Sequence, residues 1–418
     1  MPRFLHIADI HLGFDRYNSP ERTKDFYRAL SDVIERYAIA EAVDFVLIAG
    51  DLFEHRVIQP AVLNQAQLCL QRLQAEGIPV LAIEGNHDNT PYGTSTSWLK
   101  YLSQWGLLQL LEPGNVAAGE PLYAPWDEDR KRGGYIDLPC GVRVLGSSWY
   151  GAAAAQAIIQ IAEAMQALPT GPEHTVLMFH HGLEDQIARY KGALRYAELL
   201  PLREAGVDYL ALGHIHKNYS VEDWIFNPGS LEANNVEEGK YARGAYLVEL
   251  TASGIQASLQ QDYRQRPIVR LQVTTRGEES ETDLAELAVA EVEKAMAQGR
   301  LVPDQQPIVE LRIEGSVGFE RLSLDTRELQ QTLQALSQAL IFLLKYDVEE
   351  VAFQSPSADE SSREQIEHTA FLDLLAGHRD YKKRADILAA GLVDLKHRRL
   401  VGQEDEALYQ YVEDILRL

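Results

Sequence analysis

Cysteine is scarce in this chain: Cys69 and Cys140 are the only two in 418 residues. That excludes a disulfide-stapled fold and points to thiols kept in a reducing compartment. Long apolar runs are also missing. No stretch approaches the roughly 20 residues that span a bilayer, so no membrane role is expected. The opening MPRFLHIADIHLG leads straight into the first strand, so no cleavable leader is expected. A cytoplasmic location follows as the expectation. Positive charge is short as well, 39 Lys+Arg against 62 Asp+Glu, a net of −23. That sign excludes a broad basic face able to grip nucleic acid alone. Four local basic clusters remain: Arg130–Arg132, Arg264/Arg266/Arg270, Lys382–Arg384 and Lys396/Arg398/Arg399. Each reads as a solvated face, so a polyanionic substrate would need a partner or a local patch. Internal repeats and low-complexity tracts are absent too.

What the chain does have is a series of strand ends. Five short apolar runs, FLHIADIHLG, FVLIAGDLFE, VLAIEGNHD, VLMFHHG and YLALGHIH, each stop on residues that bind metals. They deliver Asp9, His11, Asp51, Asn86, His87, Asp88, His180, His214 and His216. An apolar run followed by Gly reads as a strand buried on both faces of a mainly parallel sheet. The functional crevice of such sheets lies beyond the carboxyl ends of the strands. Imidazole and carboxylate donors without thiolate suit a divalent ion of the manganese, iron or zinc type. One Asp-x-His would be weak evidence; five motifs in one strand-then-turn context are strong. His6, His55, His174, His181, His368, His378 and His397 keep the bland reading of core or surface histidines.

Two ions need a shared ligand, and Asp51, with two carboxylate oxygens at the second strand's turn, is the natural bridge. Asp9, His11 and His216 would complete one ion; Asn86, His180 and His214 the other. Such a pair can clamp the attacking and leaving oxygens of an in-line displacement at phosphorus. His87 is expected to protonate the leaving oxygen or neutralise developing charge. Asp88 is expected to orient a His ring from behind, or to shape the turn, or both.

Residues 1–262 alternate strands and helices, which predicts a four-layer α/β/β/α sandwich. Ser19 and Pro20 read as N-cap and first helical residue of an amphipathic helix carrying Phe26, Leu30, Val33 and Tyr37. Leu63, Ala66, Leu70 and Leu73 give a second helix. IFNPGS and GAYLVEL suggest antiparallel strands closing the domain. DYRQRP, residues 262–267, reads as a linker. Residues 267–354 then read as a small βαβαβ domain, with a capping box at Asp325 and Glu328 and a last strand VEEVAFQ. Gln354–Ser362 is a second linker by composition. The tail, 363–418, is helical, with stripes of Tyr381, Ala385, Leu388, Leu392 and Leu395, then Leu408, Tyr411, Val412 and Ile415. A hairpin packed on its own chain and a docking element for a partner's helices fit those stripes equally.

DIHLG, GDLFE, GNHD, the His of FHHG and GHIH, in this order, resemble the calcineurin-like metallophosphoesterase superfamily. Within it the chain most resembles the nuclease subunit of the bacterial SbcCD complex and the archaeal and eukaryotic meiotic-recombination nucleases. The likeness spans nearly the whole chain, including NPGSLE, the α/β capping domain and the helical tail. It implies a two-metal DNA nuclease, a 3′–5′ exonuclease and/or single-strand endonuclease acting in DNA repair. It implies manganese as the usual ion, with magnesium, iron or zinc as alternatives. It also implies DNA and a coiled-coil SMC-like ATPase as partners, a homodimer, a DNA-binding role for the cap and an ATPase-docking role for the tail. Three departures stand out. Some relatives carry His where this chain has Glu54, FHHG replaces a commoner His-Gln-Gly, and the acidic balance is awkward for a DNA enzyme working alone. A phosphatase or phosphodiesterase for small esters has no evident use for the cap and tail. A scaffold subunit has none for an intact ligand set and a free His87.

Overall fold

A computed structural model describes residues 1–186, 192–252, 254–350, 363–376 and 381–417. The chain divides into two units, Met1–Ile268 and Val269–Leu418. The first unit opens with β1 (Arg3–Ile7), α1 (Pro20–Val33), β2 (Phe45–Ala49), α2 (Pro60–Ala75), β3 (Val80–Ile83), α3 (Trp98–Gln104) and β4 (Gln109–Leu110). It continues with β5 (Tyr135–Leu138), β6 (Val142–Leu145), α4 (Ala154–Gln166), β7 (His174–His180), α5 (Tyr196–Glu204) and β8 (Tyr209–Gly213). The remaining strands are β9 (Tyr219–Val221), β10 (Ile225–Asn227), β11 (Ala245–Thr251) and β12 (Gly254–Gln260).

These strands form two six-stranded sheets, ordered β12-β11-β1-β2-β3-β4 and β5-β6-β7-β8-β10-β9. β1 through β4 are parallel, as are β6, β7, β8 and β10; the remaining strands pair antiparallel at the sheet edges. Three apolar layers explain the order. α1, α2 and α3 bury Leu30, Val33, Ala66, Leu70, Leu99 and Leu102 against Leu5, Val46 and Ile48 of the first sheet. α4 and α5 bury Ile158, Ile161, Leu199 and Leu202 against Leu177, Phe179 and Leu210 of the second. Phe4, Phe45, Leu47 and Leu81 meet Val144, Val176, Met178, Tyr209 and Phe226 between the sheets. The result is the expected α/β/β/α sandwich, with both faces of each sheet covered, which is why its strands read as unbroken apolar runs.

Several local expectations need correction. The five motif strands are shared between two sheets, β1–β3 in one and β7–β8 in the other. IFNPGS supplies β10, which lies parallel to β8, while GAYLVEL supplies β11, antiparallel to β1 in the other sheet. Pro20 does start α1, but the Ser19 side chain makes no cap bond. The stretch DYRQRP is not a free linker. Tyr263 is buried and its hydroxyl donates to the Leu231 carbonyl at 2.8 Å. Arg266 is half-buried and forks onto both oxygens of Asp25, whose Oδ2 also accepts from the fully buried Arg22. Polar composition hid a buried ion-pair network.

The second unit opens with β13 (Ile268–Arg276), α6 (Glu281–Ala297), β14 (Ile308–Val317), α7 (Thr326–Ser337) and β15 (Ile341–Glu350). These make the expected βαβαβ pattern, with strand order β13-β14-β15. Asp325 caps α7 through the Arg327 and Glu328 amides. The last strand starts at Ile341 rather than Val348, pairing in parallel with β14 from Ile308↔Ile341 onward. The proposed linker at 354–362 and His378 lie outside the described residues. The tail forms α8 (Arg363–Ala376), α9 (Ala385–Leu400) and α10 (Asp405–Arg417). Its stripes face one another: Leu388 and Ile415 are buried, and a Cβ on Gly391 would lie 2.8 Å from Ile415 Cδ1. Among the described residues, no helix is long and apolar enough to cross a membrane.

Candidate metal centre

Four of the motif residues sit on backbone that L-residues rarely adopt. Asp9, His11 and Asp51 have φ of 52°, 52° and 54°, and His214 has 84°. Each such residue costs of order 1 kcal/mol or more, a strain typical of functional sites. It is held by a zipper between the loops after β1 and β2. The Asp9 amide donates to Gly50, the Ile10 and His11 amides to Asp51, and the Leu12 amide to Leu52. The chain therefore leaves each strand with its side chains turned toward one point. Glycine is obligatory at the closest approaches. A Cβ on Gly85 would lie 2.1 Å from Asp51 Oδ1, and one on Gly50 would lie 2.3 Å from His180 Nδ1.

The side chains converge in two adjoining groups. Asp9, His11 and His216 form one; Asp51, His180 and His214 form the other. His11 Nε2 faces His216 Nε2 at 3.1 Å. His216 Nε2 is 3.9 Å from Asp9 Oδ1. His180 Nε2 lies 3.2 Å from Asp51 Oδ2 and 3.3 Å from Asn86 Oδ1, and His214 Nδ1 lies 2.9 Å from Asn86 Oδ1. Donors that share one ion at about 2.1 Å and near right angles sit about 3 Å apart, so this donor set fits divalent ions. Asp9, His11, Asp51 and His180 are buried; Asn86, His214 and His216 are half-buried and line the open side.

The electrostatics agree with that fit. Burial opposes charge on His180, but the Asp51 carboxylate outweighs it and lifts its pKa to about 9. Burial likewise opposes charge on His216, and Glu238 outweighs it, again to about 9. For Asp51, burial acts to raise the pKa, yet neighbouring His180 holds the carboxyl well below its usual range. Burial dominates at Asp9 and raises it. At His214 burial and then His180 lower the pKa to about 3. A field that draws protons to His180 and His216 draws cations to the same places.

The flanking residues fall less tidily. His87 is half-buried; its Nδ1–H donates to the Glu54 carbonyl at 2.6 Å, and its ring stands edge-on to His11 at 5.0 Å. Its amide donates to Asp51 Oδ1 at 2.8 Å. Asp88 does not orient a His ring. It accepts from the Leu52, Phe53 and Gly85 amides at 3.1, 3.0 and 3.2 Å, so it ties the GNHD turn to the Asp51 loop. Burial, then the Asp51 charge, raises its pKa to about 7. The turn-forming alternative for Asp88 is the one present. His6 is a satisfied core histidine between Tyr209 and the Leu212 carbonyl. His181 stacks on Trp149 and lies near the Gly182 and Gly151 carbonyls, outside both groups.

Two residues, Trp149 and Glu238, escaped the sequence reading of the site, and a third, Glu54, was noted there only as a departure from relatives. Trp149 packs against His180 and His214, with ring centroids 5.8 and 5.0 Å away. It follows an apolar run, VRVLGSSWY, that ends on Gly like the others, but an indole is not a ligand. Glu238 accepts from His216 Nδ1 at 3.3 Å, and Glu54 Oε2 lies 2.8 Å from His11 Nδ1. Glu238 sits in the Asn/Glu-rich stretch before β11, where composition alone suggests only a loop.

The fold is that of a phosphoesterase, and the converging donors are a candidate metal centre. The family model for calcineurin-like phosphoesterases matches residues 2–218, just over half the chain and all seven candidate ligands. The chain belongs to that family. It is similar to the DNA double-strand break repair protein Mre11 of Archaeoglobus fulgidus, with 32% identity over 246 residues, 56% of this chain and 51% of that protein. The Saccharolobus solfataricus protein of the same name is 30% identical over 60% of this chain and 61% of its own length. That of Haloferax volcanii is 29% identical over 75% of this chain and 62% of its own. The chain spans between about half and three-fifths of the length of these relatives.

Proposed function

We propose that this chain is a two-metal DNA nuclease of the repair type, hydrolysing phosphodiester bonds by in-line displacement. One observation carries the reading: strand ends from two sheets bring Asp9, His11, Asp51, Asn86, His180, His214 and His216 into two adjoining groups. Asp9, His11 and His216 would hold one ion, Asn86, His180 and His214 the other, and Asp51 would be shared. Two divalent ions, manganese before magnesium, iron or zinc, would supply nucleophile activation and charge stabilisation at phosphorus. The protein supplies the rest. Asn86 contributes a neutral oxygen, which keeps the centre from repelling a phosphodiester. His87 has Nδ1 fixed on the Glu54 carbonyl, so Nε2 is the atom left to meet the substrate. From there it donates a proton to the leaving oxygen or hydrogen-bonds a charged equatorial one. Asp88 keeps the His87 turn in register with Asp51.

The three relatives named above are called DNA double-strand break repair proteins. That supports DNA as substrate; exonuclease and/or single-strand endonuclease action in the cytoplasm is proposed with it. The net charge of −23 supports division of labour, with a coiled-coil SMC-like ATPase capturing the DNA and a homodimer of this chain cutting it. Residues 267–354 are proposed to help bind DNA. Residues 363–418 are proposed to dock on the ATPase: Leu374, Leu400, Val401 and Tyr409 stay at least two-thirds exposed even though the helices pack on one another. The test is manganese-dependent degradation of end-labelled single- and double-stranded DNA, with bis-p-nitrophenyl phosphate alongside. Cleavage of both supports the reading. Turnover of the small ester alone makes the chain a small-molecule phosphoesterase, and turnover of neither makes it a scaffold.

A further inference from the structure

We propose that Glu54 and Glu238 are positioning residues that make the Asp9–His11–His216 end of the centre the tighter of two ion sites, filled first. This deepens the two-ion reading and rests on it. The geometry separates the two ends. His11 and His216 turn their Nε2 atoms toward each other at 3.1 Å, so their Nδ1 atoms point outward. Behind each Nδ1 stands a carboxylate: Glu54 Oε2 at 2.8 Å and Glu238 Oε1 at 3.3 Å. Both acids are held in place. The Glu54 amide donates to the Leu12 carbonyl, and Glu238 accepts from the Asn234 amide and from Asn235 Nδ2. At the other end, His180 Nδ1 donates to a neutral carbonyl, that of Ala49, at 2.8 Å, and Asn86 replaces a carboxylate outright. Apart from the shared Asp51, three carboxylates serve one end, whereas among the described residues His180 is backed by a carbonyl and Asn86 contributes a neutral oxygen at the other.

Glu54 gives the second, independent sign. Its Oε2 and the facing His11 Nδ1 are both sealed from solvent, and neither makes an aligned hydrogen bond among the described residues. A carboxylate oxygen left in that state is costly. The cost is offset when a cation on the far nitrogen draws positive charge onto the ring between them. A carboxylate behind a ligating imidazole raises the ring's basicity, and its loss typically weakens metal binding 10–100-fold. His11, Glu54 and His87 also cluster closely enough to suggest a third ion. That would require His11 to bind ions through both nitrogens as an imidazolate, so the positioning role is preferred.

The test titrates the metal-free full-length chain with manganese, followed by calorimetry and by the manganese electron paramagnetic resonance spectrum. Two ions should bind, with affinities at least about 10-fold apart. At one equivalent the spectrum should be that of isolated manganese, with spin-coupled pairs appearing only as the second ion enters. Glu54→Gln and Glu238→Gln keep an acceptor and remove the charge. Each should weaken the tighter step by about 10-fold or more and the looser by less, narrowing the gap so that coupled pairs appear earlier. Unfolding temperatures of the metal-free variants should match the parent, which separates charge from misfolding. Equal affinities in the parent, or an unchanged tight step in both variants, overturn the inference while leaving two-ion catalysis standing. Three ions, one of them lost in Glu54→Gln, also overturn it. Fewer than two ions in the parent overturn it together with the proposed function.

Discussion

Asp51→Asn is the sharpest single perturbation of the centre. The substitution keeps the shape and one oxygen, so the His87 amide at 2.8 Å keeps an acceptor. It removes one buried charge between the two groups. A unit charge at about 4 Å is worth about 4 kcal/mol at an effective dielectric of about 20, or about three factors of ten in affinity. The metal-free protein loses little, because His180, 3.2 Å from Asp51 Oδ2, can shed its proton when its partner becomes neutral. The two forms should therefore melt within a few degrees of one another without metal. They should part when manganese is added. Ligand at about 1,000 times its dissociation constant stabilises the parent by about 4 kcal/mol, which for a domain of this size is about 8–16 °C. The variant should show almost none of that rise and no turnover. A variant that binds two ions, gains the full thermal shift and retains near-parental cleavage would refute the bridging role.

Three further outcomes follow from the same geometry. His87→Ala should retain both ions and bind DNA while losing about 10²–10⁴ in turnover; loss of an ion, read by metal analysis, would make His87 a ligand instead. Asp25→Ala should destabilise the first unit by about 3–5 kcal/mol in urea unfolding, because the buried Arg22 and the half-buried Arg266 would each lose a partner; a change below about 1 kcal/mol contradicts that network. His6, held near pKa 3 by burial, stays neutral in the fold while an unfolded chain protonates near 6.5. The unfolded state binds the extra proton in that window, so stability falls as pH falls. His6→Gln should spare about 2 kcal/mol of the loss between pH 6.5 and 5 in urea titrations, and an equal loss in both proteins would count against the assignment.

The strand ends were legible because their chemistry and their backbone agree: Asp, Asn or His follows an apolar run at a Gly turn, and the loop zipper needs that arrangement. Which sheet each strand joins was not legible. β8 and β10 are as apolar as β1 and β2, because all four are covered on both faces. The choice between the two roles of Asp88 stayed open because GNHD shows its neighbours in sequence but not the three amides that fold over it. Trp149 is no ligand type, and the carboxylates of Glu54 and Glu238 reach the centre behind His11 and His216, a placement set by packing that motif spacing does not record. Arg266 and Tyr263 looked like linker residues because composition records polarity and not pairing. β15 begins seven residues before the VEEVAFQ run, at IFLLKYD, where Lys345 reads as a break but reaches the buried Glu310 at 2.7 Å.

The bridging role of Asp51 is tested most directly by where ions bind. Crystals of the chain grown with manganese, measured at the manganese absorption edge, should show two anomalous peaks about 3.5–4 Å apart. One should lie among Asp9, His11 and His216, the other among Asn86, His180 and His214, with Asp51 touching both. A single peak, or two peaks with Asp51 bound to neither or to only one, would contradict it.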